Sequence, residues 1–579
     1  MTENSATTSG STMPDPARDH AAGQKTAINA LSDEFVAAMV KLSPTLATEL
    51  GVPGHDDRLD DLSPAGLAAV DELIGRTITA ISAAESTGRL DDVARNVILE
   101  RLLLEQDRYR SGWAHAALNV LASPLQHVRM VFDMTPTDTP QQLATYAARM
   151  RAVPASLAGY QESLRLAASR GQTAAVRQVD KCAQQCAAYA GTAESPGFFT
   201  RTVQAFGADE SAVAELAAAA KVAEQAYADL GTFLTGELRA SAPAKDAVGR
   251  ERYVLASREF LGATVDLERT YEWGWQEFLS IEKELLEVVE RIAPGQDAKG
   301  AAAVLDADPA YLVHGNDGLK DWMQQLSDRA VEDLGRSHFD IPAPLRRLEC
   351  LIAPPGGSLG AYYTPPSDDF SRPGRMWWSV GEGRPTYTTW RETTVVYHEG
   401  VPGHHLQLAT AVWRKDKLND FQRLLAGTSG HAEGWALYAE RLVRELDYLS
   451  TDGDLLGMLD SQLFRAARVV IDLGMHLELT IPAGTGFHEG EVWTPELGLE
   501  FLLTRTLNEA DNSRDEIDRY LGWPGQAPSY KVGERIWLEG RDAARARHGA
   551  DFDEKAFHTA ALGLGGMGLD PLATELALL

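Results

Sequence analysis

Apolar residues recur at helical spacing through most of the first 345 positions. From Thr26 to about Ala240 the pattern is helical throughout, in alanine- and leucine-rich segments broken by short Pro/Gly turns. Leu99–Tyr109 places leucines and charged residues as an amphipathic helix would, and residues 211–238 read the same way. Residues 251–345 add more helices, including Glu277–Arg291. The texture changes at residue 347. Short aromatic or β-branched runs begin at Leu348, Ala361 and Met376, separated by Pro/Gly/Asp clusters. They predict a small sheet just before position 394. The fold class is therefore mainly α with a small β-sheet.

Ser241–Asp246, Ser-Ala-Pro-Ala-Lys-Asp, offers a seam. Residues 25–579 accordingly read as one large unit, divisible into an N-terminal helical lobe at 25–245 and a second lobe at 246–579, with a cleft between them. Residues 1–24 are rich in Ser, Thr, Gly, Asp and Pro and predict a disordered tail. No internal repeat is evident.

Composition narrows the function classes. A hydrophobic content of 44% suffices for a full core in a chain of 579 residues. A net charge of −29 argues against nucleic acid and anionic membrane surfaces as partners. No apolar run approaches the roughly 18 residues of a membrane span, and no basic start with an apolar run marks a secretory signal. The expected location is the cytoplasm. Three cysteines are too few for a disulfide framework, so Cys182, Cys186 and Cys350 are expected as buried thiols.

The candidate chemistry concentrates in residues 394–440. Glu399 follows His398, two more imidazoles stand at His404 and His405, and Glu433 and Glu440 lie downstream. Imidazole and carboxylate suit Zn²⁺, and three protein ligands leave a fourth position for water. Glu399 is placed to take the proton from that water. The spacing departs from the usual His-Glu-x-x-His, because position i+4 is Pro402. The second ligand is His404 at i+6 or His405 at i+7, and on a regular helix i+7 separates the Cα atoms by roughly 10 Å. Pro402 and Gly403 predict a bulge or kink that brings the second imidazole back over His398. Glu433 precedes Trp435, Leu437 and Tyr438 on a helix that otherwise reads as core, where a bound cation would offset the cost of a buried carboxylate. Glu440 either orients a ligand histidine or is solvated. Tyr362 and Tyr363 either line the cleft or fill the core. Arg372, Arg519, Lys531 and Arg535 are candidates to hold a substrate carboxylate. His476 and His558 are weaker hydrogen-bond donors to the reaction.

His398–His405 and Glu433–Glu440 resemble the signature segments of a bacterial family known as domain of unknown function 885, His-Glu-x-x-Pro-Gly-His-His and Glu-Gly-Trp-Ala-Leu-Tyr-Ala-Glu. Ala361–Pro366, Ser371–Gly374, Ile471–His476 and Arg519–Gly533 extend the resemblance, which runs from about residue 30 and is densest after 345. The family is similar to the largely helical zinc peptidases that include oligopeptidases and carboxypeptidases. The resemblance implies a helical, zincin-like catalytic fold holding one Zn²⁺ per chain through His398, His404 and Glu433. His404 is preferred because Gly403-His404 aligns with the Gly-His ending of related zinc motifs, leaving His405 second to the metal or facing substrate. Tyr530 corresponds to a late-chain tyrosine that would stabilise an oxyanion. The implied activity is hydrolysis of short peptides. Alternatives are a non-peptide amide hydrolase and a metal-containing binding protein without turnover. Oligomeric state is left open.

Overall fold

The computed structural model describes residues 25–192, 194–206, 210–353, 360–381 and 383–579. The tail expected at residues 1–24 lies outside them. The described chain is mainly helical with small sheets, as the patterning predicts.

Three helices build the centre of the N-terminal half: α1 (Pro140–Ser169), α2 (Val176–Ala190) and α3 (Glu210–Gly236). Helix α1 starts at a capping box between Thr139 and Gln142, with Pro140 in its first turn where the missing amide costs nothing. These helices enclose a cluster that includes Phe132, Tyr146, Phe199, Tyr227 and Leu230, in which Phe132 and Phe199 meet edge to face at 5.0 Å. Cys182 and Cys186 are buried there as free thiols, and Cys350 is buried and free in the second half. The helices of residues 27–110 pack elsewhere. Ile28, Phe35, Val97 and Ile98 share an apolar cluster with Trp435, Leu569 and Leu572, so both ends of the chain close one core. Apolar packing thus sets residues 118–238 apart and does not part at residue 245.

Helix α4 (Leu267–Ile292) buries a stripe of Tyr271, Trp275, Phe278, Leu285 and Val289. The predicted sheet lies after it. A short ribbon pairs β1 (Leu312–His314) with a later strand, and β2 (Leu348–Ile352), β3 (Gly360–Thr364) and β4 (Gly374–Ser379) form a sheet of order β2-β4-β3. β2 runs parallel to β4, and β3 antiparallel to it. β1 pairs with β5 (Thr386–Thr388). Met376 and Trp378 of β4 face the core, while Trp377 faces outward.

Five helices then carry the motif region: α5 (Thr393–Glu399), α6 (His404–Trp413), α7 (Ser429–Glu445), α8 (Asp452–Leu477) and α9 (Ser529–His548). α8 packs along α4 on one side and against α5 on another, and is buried over most of its surface. α7 and α9 cross at Gly434 and Gly533, where a Cβ on either glycine would collide with the other's backbone. That close crossing fixes α7, and with it both downstream glutamates.

Candidate functional site

The motif folds as two helices rather than one bulged helix. α5 ends at Glu399, Gly400–Gly403 make a turn with a cis Val401–Pro402 peptide, and α6 restarts at His404. The turn holds because its polar groups are partnered. The Gly403 amide donates to Tyr397 O at 3.1 Å, and the Trp435 indole donates to Pro402 O at 2.8 Å and Gly403 O at 3.2 Å. Glycine is required at 403 for space, since a Cβ there would collide with the carbonyl oxygens of His398 and Tyr397. The kink expected at Pro402–Gly403 is therefore a full helix break, pinned by Trp435.

The break brings His404 back over His398. Their ring centroids lie 4.8 Å apart at 87°. Glu433 reaches from α7 to both, with Oε2 at 3.2 Å from His398 Nε2 and 3.5 Å from His404 Nε2. Behind them, Glu440 Oε1 meets His398 Nδ1 at 2.7 Å and is itself fully buried. This carboxylate fixes the ring so that Nε2 points at Glu433. His404 Nδ1 has no such partner among the described residues. A carboxylate oxygen of Glu399 and nitrogens of His398 and His404 all lie within 4.8 Å of one another.

Electrostatics follows from burial. Loss of water opposes charge on His398, yet its hydrogen bonds to Glu433 and Glu440 outweigh this and raise it to about 10. Burial also works against the charge of Glu433, but the two imidazoles hold that carboxyl well below the usual range. For Glu399 burial prevails and the pKa is raised, against the pull of His404 and His398. The carboxylate beside the imidazole pair is thus the more basic one.

The donor set fits a cation such as Zn²⁺. Ligands placed tetrahedrally at about 2.0–2.1 Å from one ion sit roughly 3.3 Å from each other. The Glu433 separations from the two imidazoles bracket that value, at 3.2 and 3.5 Å. Two imidazoles and one carboxylate are also a donor chemistry that suits zinc. The same distances also serve an imidazole–carboxylate hydrogen-bond cluster.

The remaining candidates are placed differently. His405 faces away from His398. Its Nε2 donates to Leu345 O at 2.7 Å, its Nδ1 accepts from the Tyr363 hydroxyl at 2.9 Å, and burial pushes its pKa down to about 4. It ties α6 to the sheet as a neutral ring. Tyr363 is consequently turned inward, while Tyr362 stacks on Trp377 on the outer face of the sheet. Neither lines the cleft that opens on His398 and Glu399. That cleft, about 470 Å³, is walled by Gly360 and Ala361 of β3, by Trp378, by Glu392, and by Asp460, Ser461 and Arg465 of α8. Arg372 lines a separate cavity instead. Lys531 is no surface cation for a substrate. It is 1% exposed and binds Glu277 at 2.8 Å, Glu534, and Gln462 Oε1 at 3.0 Å. Gln462 in turn donates to Glu440 at 3.2 Å, so Lys531 stands behind the site as its distant support. Tyr530 lies under the Arg468 guanidinium, which stands 4.8 Å from its ring centroid. Arg519 is held by Glu516 and Gln526, Arg535 by Glu539. His476 and His558 are buried and hydrogen-bonded to Tyr520 O and the Tyr438 hydroxyl.

A family profile matches residues 44–576. The chain belongs to the bacterial proteins of unknown function called DUF885. No curated protein matches it. Among solved structures, a candidate lipoprotein from Colwellia psychrerythraea is similar with a TM-score of 0.80 at 20% identity, covering 95% of this chain and 98% of that one. A candidate lipoprotein of unknown function from Shewanella oneidensis aligns with a TM-score of 0.71 at 16% identity, over 95% of this chain and 100% of that one. At such identities the likeness is one of fold. Within this DUF885 chain, the residues that sequence reasoning missed are Trp435, Gln462, Asp460 and Arg465. The last three had a signal: with Ser461 they form a run of polar residues on α8, whose buried positions are mostly apolar.

Proposed function

We propose that this DUF885 protein is a zinc-dependent hydrolase that cleaves short peptides. The observation that supports it best is the convergence of His398, His404 and Glu433, with the Glu433 carboxylate 3.2 and 3.5 Å from the two imidazoles and Glu399 alongside at the wall of an open cleft. His398, His404 and Glu433 would hold the ion. When bound, the ion supplies a Lewis acid and lowers the pKa of water. Glu399 takes a proton from the attacking water and returns it to the leaving amine, and its burial raises its basicity for that task. Glu440 holds the His398 ring in position, with Gln462 and Lys531 behind it. The Pro402–Gly403 turn, secured by Trp435, keeps His404 opposite His398.

Elemental analysis of the purified protein, paired with cleavage of a peptide library with and without a chelator, tests this reading. Zinc-dependent cleavage is the expected result. Zinc binding with no cleavage of peptides or other amides would favour a binding protein. Among the described residues no helix is long and apolar enough to cross a membrane. We propose a cytoplasmic location, where its three free thiols would stay reduced. Cell fractionation checks this; recovery with membranes, as the description of the two similar structures suggests for those proteins, would overturn it.

A further inference from the structure

Three arginines line the cleft beside His398 and Glu399: Arg384, Arg391 and Arg465. Two of them are accounted for. Arg391 faces Asp460 at 4.0 Å and lies over the Trp390 ring. Arg384 is exposed at the rim, donates to Thr386 O at 3.1 Å and sits over Tyr387. Arg465 forms no salt bridge among the described residues. Its Nη1 donates to the carbonyl of Ser461 at 3.3 Å and to the Ser461 hydroxyl. Its Nε is buried without a partner. It shares the wall of that cleft with His398 and Glu399, which places it within reach of a ligand held at the reacting groups.

A buried N–H with no acceptor costs free energy that a ligand recovers by supplying one. The Nε–Nη2 edge of a guanidinium presents two parallel donors, which match the two oxygens of a carboxylate. In Arg465, Ser461 occupies Nη1 and leaves that edge unclaimed. The surroundings are selective. Glu392, Asp460 and Glu509 also line the cleft, and Arg391 faces Asp460, so Arg465 is the lining cation with a donor edge left for an anion away from the rim. A chain with a net charge of −29 draws no anion in by its overall field, so recognition has to be local. The volume of about 470 Å³ is in the range of small-ligand sites, roughly 300–1,000 Å³.

We propose that Arg465 binds the terminal α-carboxylate of a peptide, so that the protein removes residues from peptide C-termini. This rests on the hydrolase reading above and adds the substrate class. In the step, the C–N bond breaks and a C–O bond to water forms. One water proton passes through Glu399 to the leaving amine, and Arg465 makes only hydrogen bonds.

The test compares tetra-alanine with its C-terminal amide, using the full zinc-loaded protein and its Arg465→Gln and Arg465→Lys variants. Wild type should prefer the free acid by roughly 10- to 100-fold in kcat/KM, chiefly through KM. Arg465→Gln should lose that preference by falling on the acid alone, and Arg465→Lys should recover part of it. Zinc content and melting temperature matched to wild type confirm that the variants are folded. An unchanged preference in Arg465→Gln, or an equal loss on both peptides, overturns the proposal. If wild type cleaves neither peptide, the hydrolase reading fails by itself, and calorimetry then decides on Arg465. Tighter binding of tetra-alanine than of its amide, lost in Arg465→Gln, supports the carboxylate site; equal binding of the two rejects it.

Discussion

Residues 118–238 and the region of α5–α9 are both well buried, but they bury different things. In the first, Phe132, Tyr146, Phe199, Tyr227 and Leu230 fill the interior. Its one buried guanidinium, Arg149, is satisfied by the carbonyls of His55 and Arg58 and by the hydroxyls of Thr48 and Thr135. In the second, His398, Glu399, His404, Glu440, Gln462, Lys531 and Glu534 are withdrawn from water together. Each buried ion costs several kcal/mol before its partners compensate, and an apolar replacement of similar volume is often as stable. A region that keeps such a cluster is shaped for chemistry, whereas the N-terminal cluster is shaped for stability.

Glu399→Gln gives the largest expected effect. The amide keeps the shape and cannot take the proton, so peptide turnover should fall roughly 10²–10⁴-fold with zinc content and melting temperature unchanged. Turnover at the wild-type rate would remove Glu399 from the chemistry. In the other region, Phe199→Ala should cost about 3–5 kcal/mol of stability by denaturant unfolding, while kcat/KM per folded molecule stays the same. A selective loss of activity there would break the distinction between the two regions.

Glu440→Gln sharpens it at smaller scale. Replacing the charged carboxylate behind His398 with a neutral amide should weaken zinc binding roughly 10- to 100-fold in a chelator competition. Unaltered affinity would leave Glu440 a structural carboxylate only. Protons provide the gentlest probe. Burial holds His431 and His476 down at about 4 and His558 at about 3, below the ordinary value near 6.5. The unfolded chain therefore takes up protons first. The contribution of these three rings to stability should be level above pH 6.5 and decline between about 6.5 and 4, by at most about 1.4 kcal/mol per pH unit for each histidine. Thermal unfolding of wild type and of a His558→Gln variant across that range isolates the sign; an identical pH dependence in the two would mean that His558 is not held neutral in the fold.

Much of this was legible in the sequence. Helical periodicity before residue 345 and the aromatic runs after 347 anticipated the helices and the sheet, because both are local patterns. The grouping of His398, His404, Glu399 and Glu433 was legible because the residue types are rare in combination. What escaped was set through space. Spacing alone left His404 and His405 open; the contacts of His405 with Leu345 and Tyr363, from distant segments, are what turn it away. Lys531 read as a candidate to hold a substrate carboxylate, since nothing local reveals Glu277 and Gln462 around it. Trp435 read as core, and it is core, yet its indole N–H also holds the turn. The union of residues 27–110 with the C-terminal helices depends on chain ends that no sequence window sees together.

The most direct measurement is zinc stoichiometry in wild type, His404→Ala and His405→Gln, with folding followed by circular dichroism. We predict about one zinc per chain in wild type, none in His404→Ala, and zinc retained in His405→Gln, even where losing the bonds to Leu345 and Tyr363 lowers its melting temperature. Full zinc retention in His404→Ala, or a folded wild type that binds no zinc when supplied with it, would contradict the metal site at His398, His404 and Glu433.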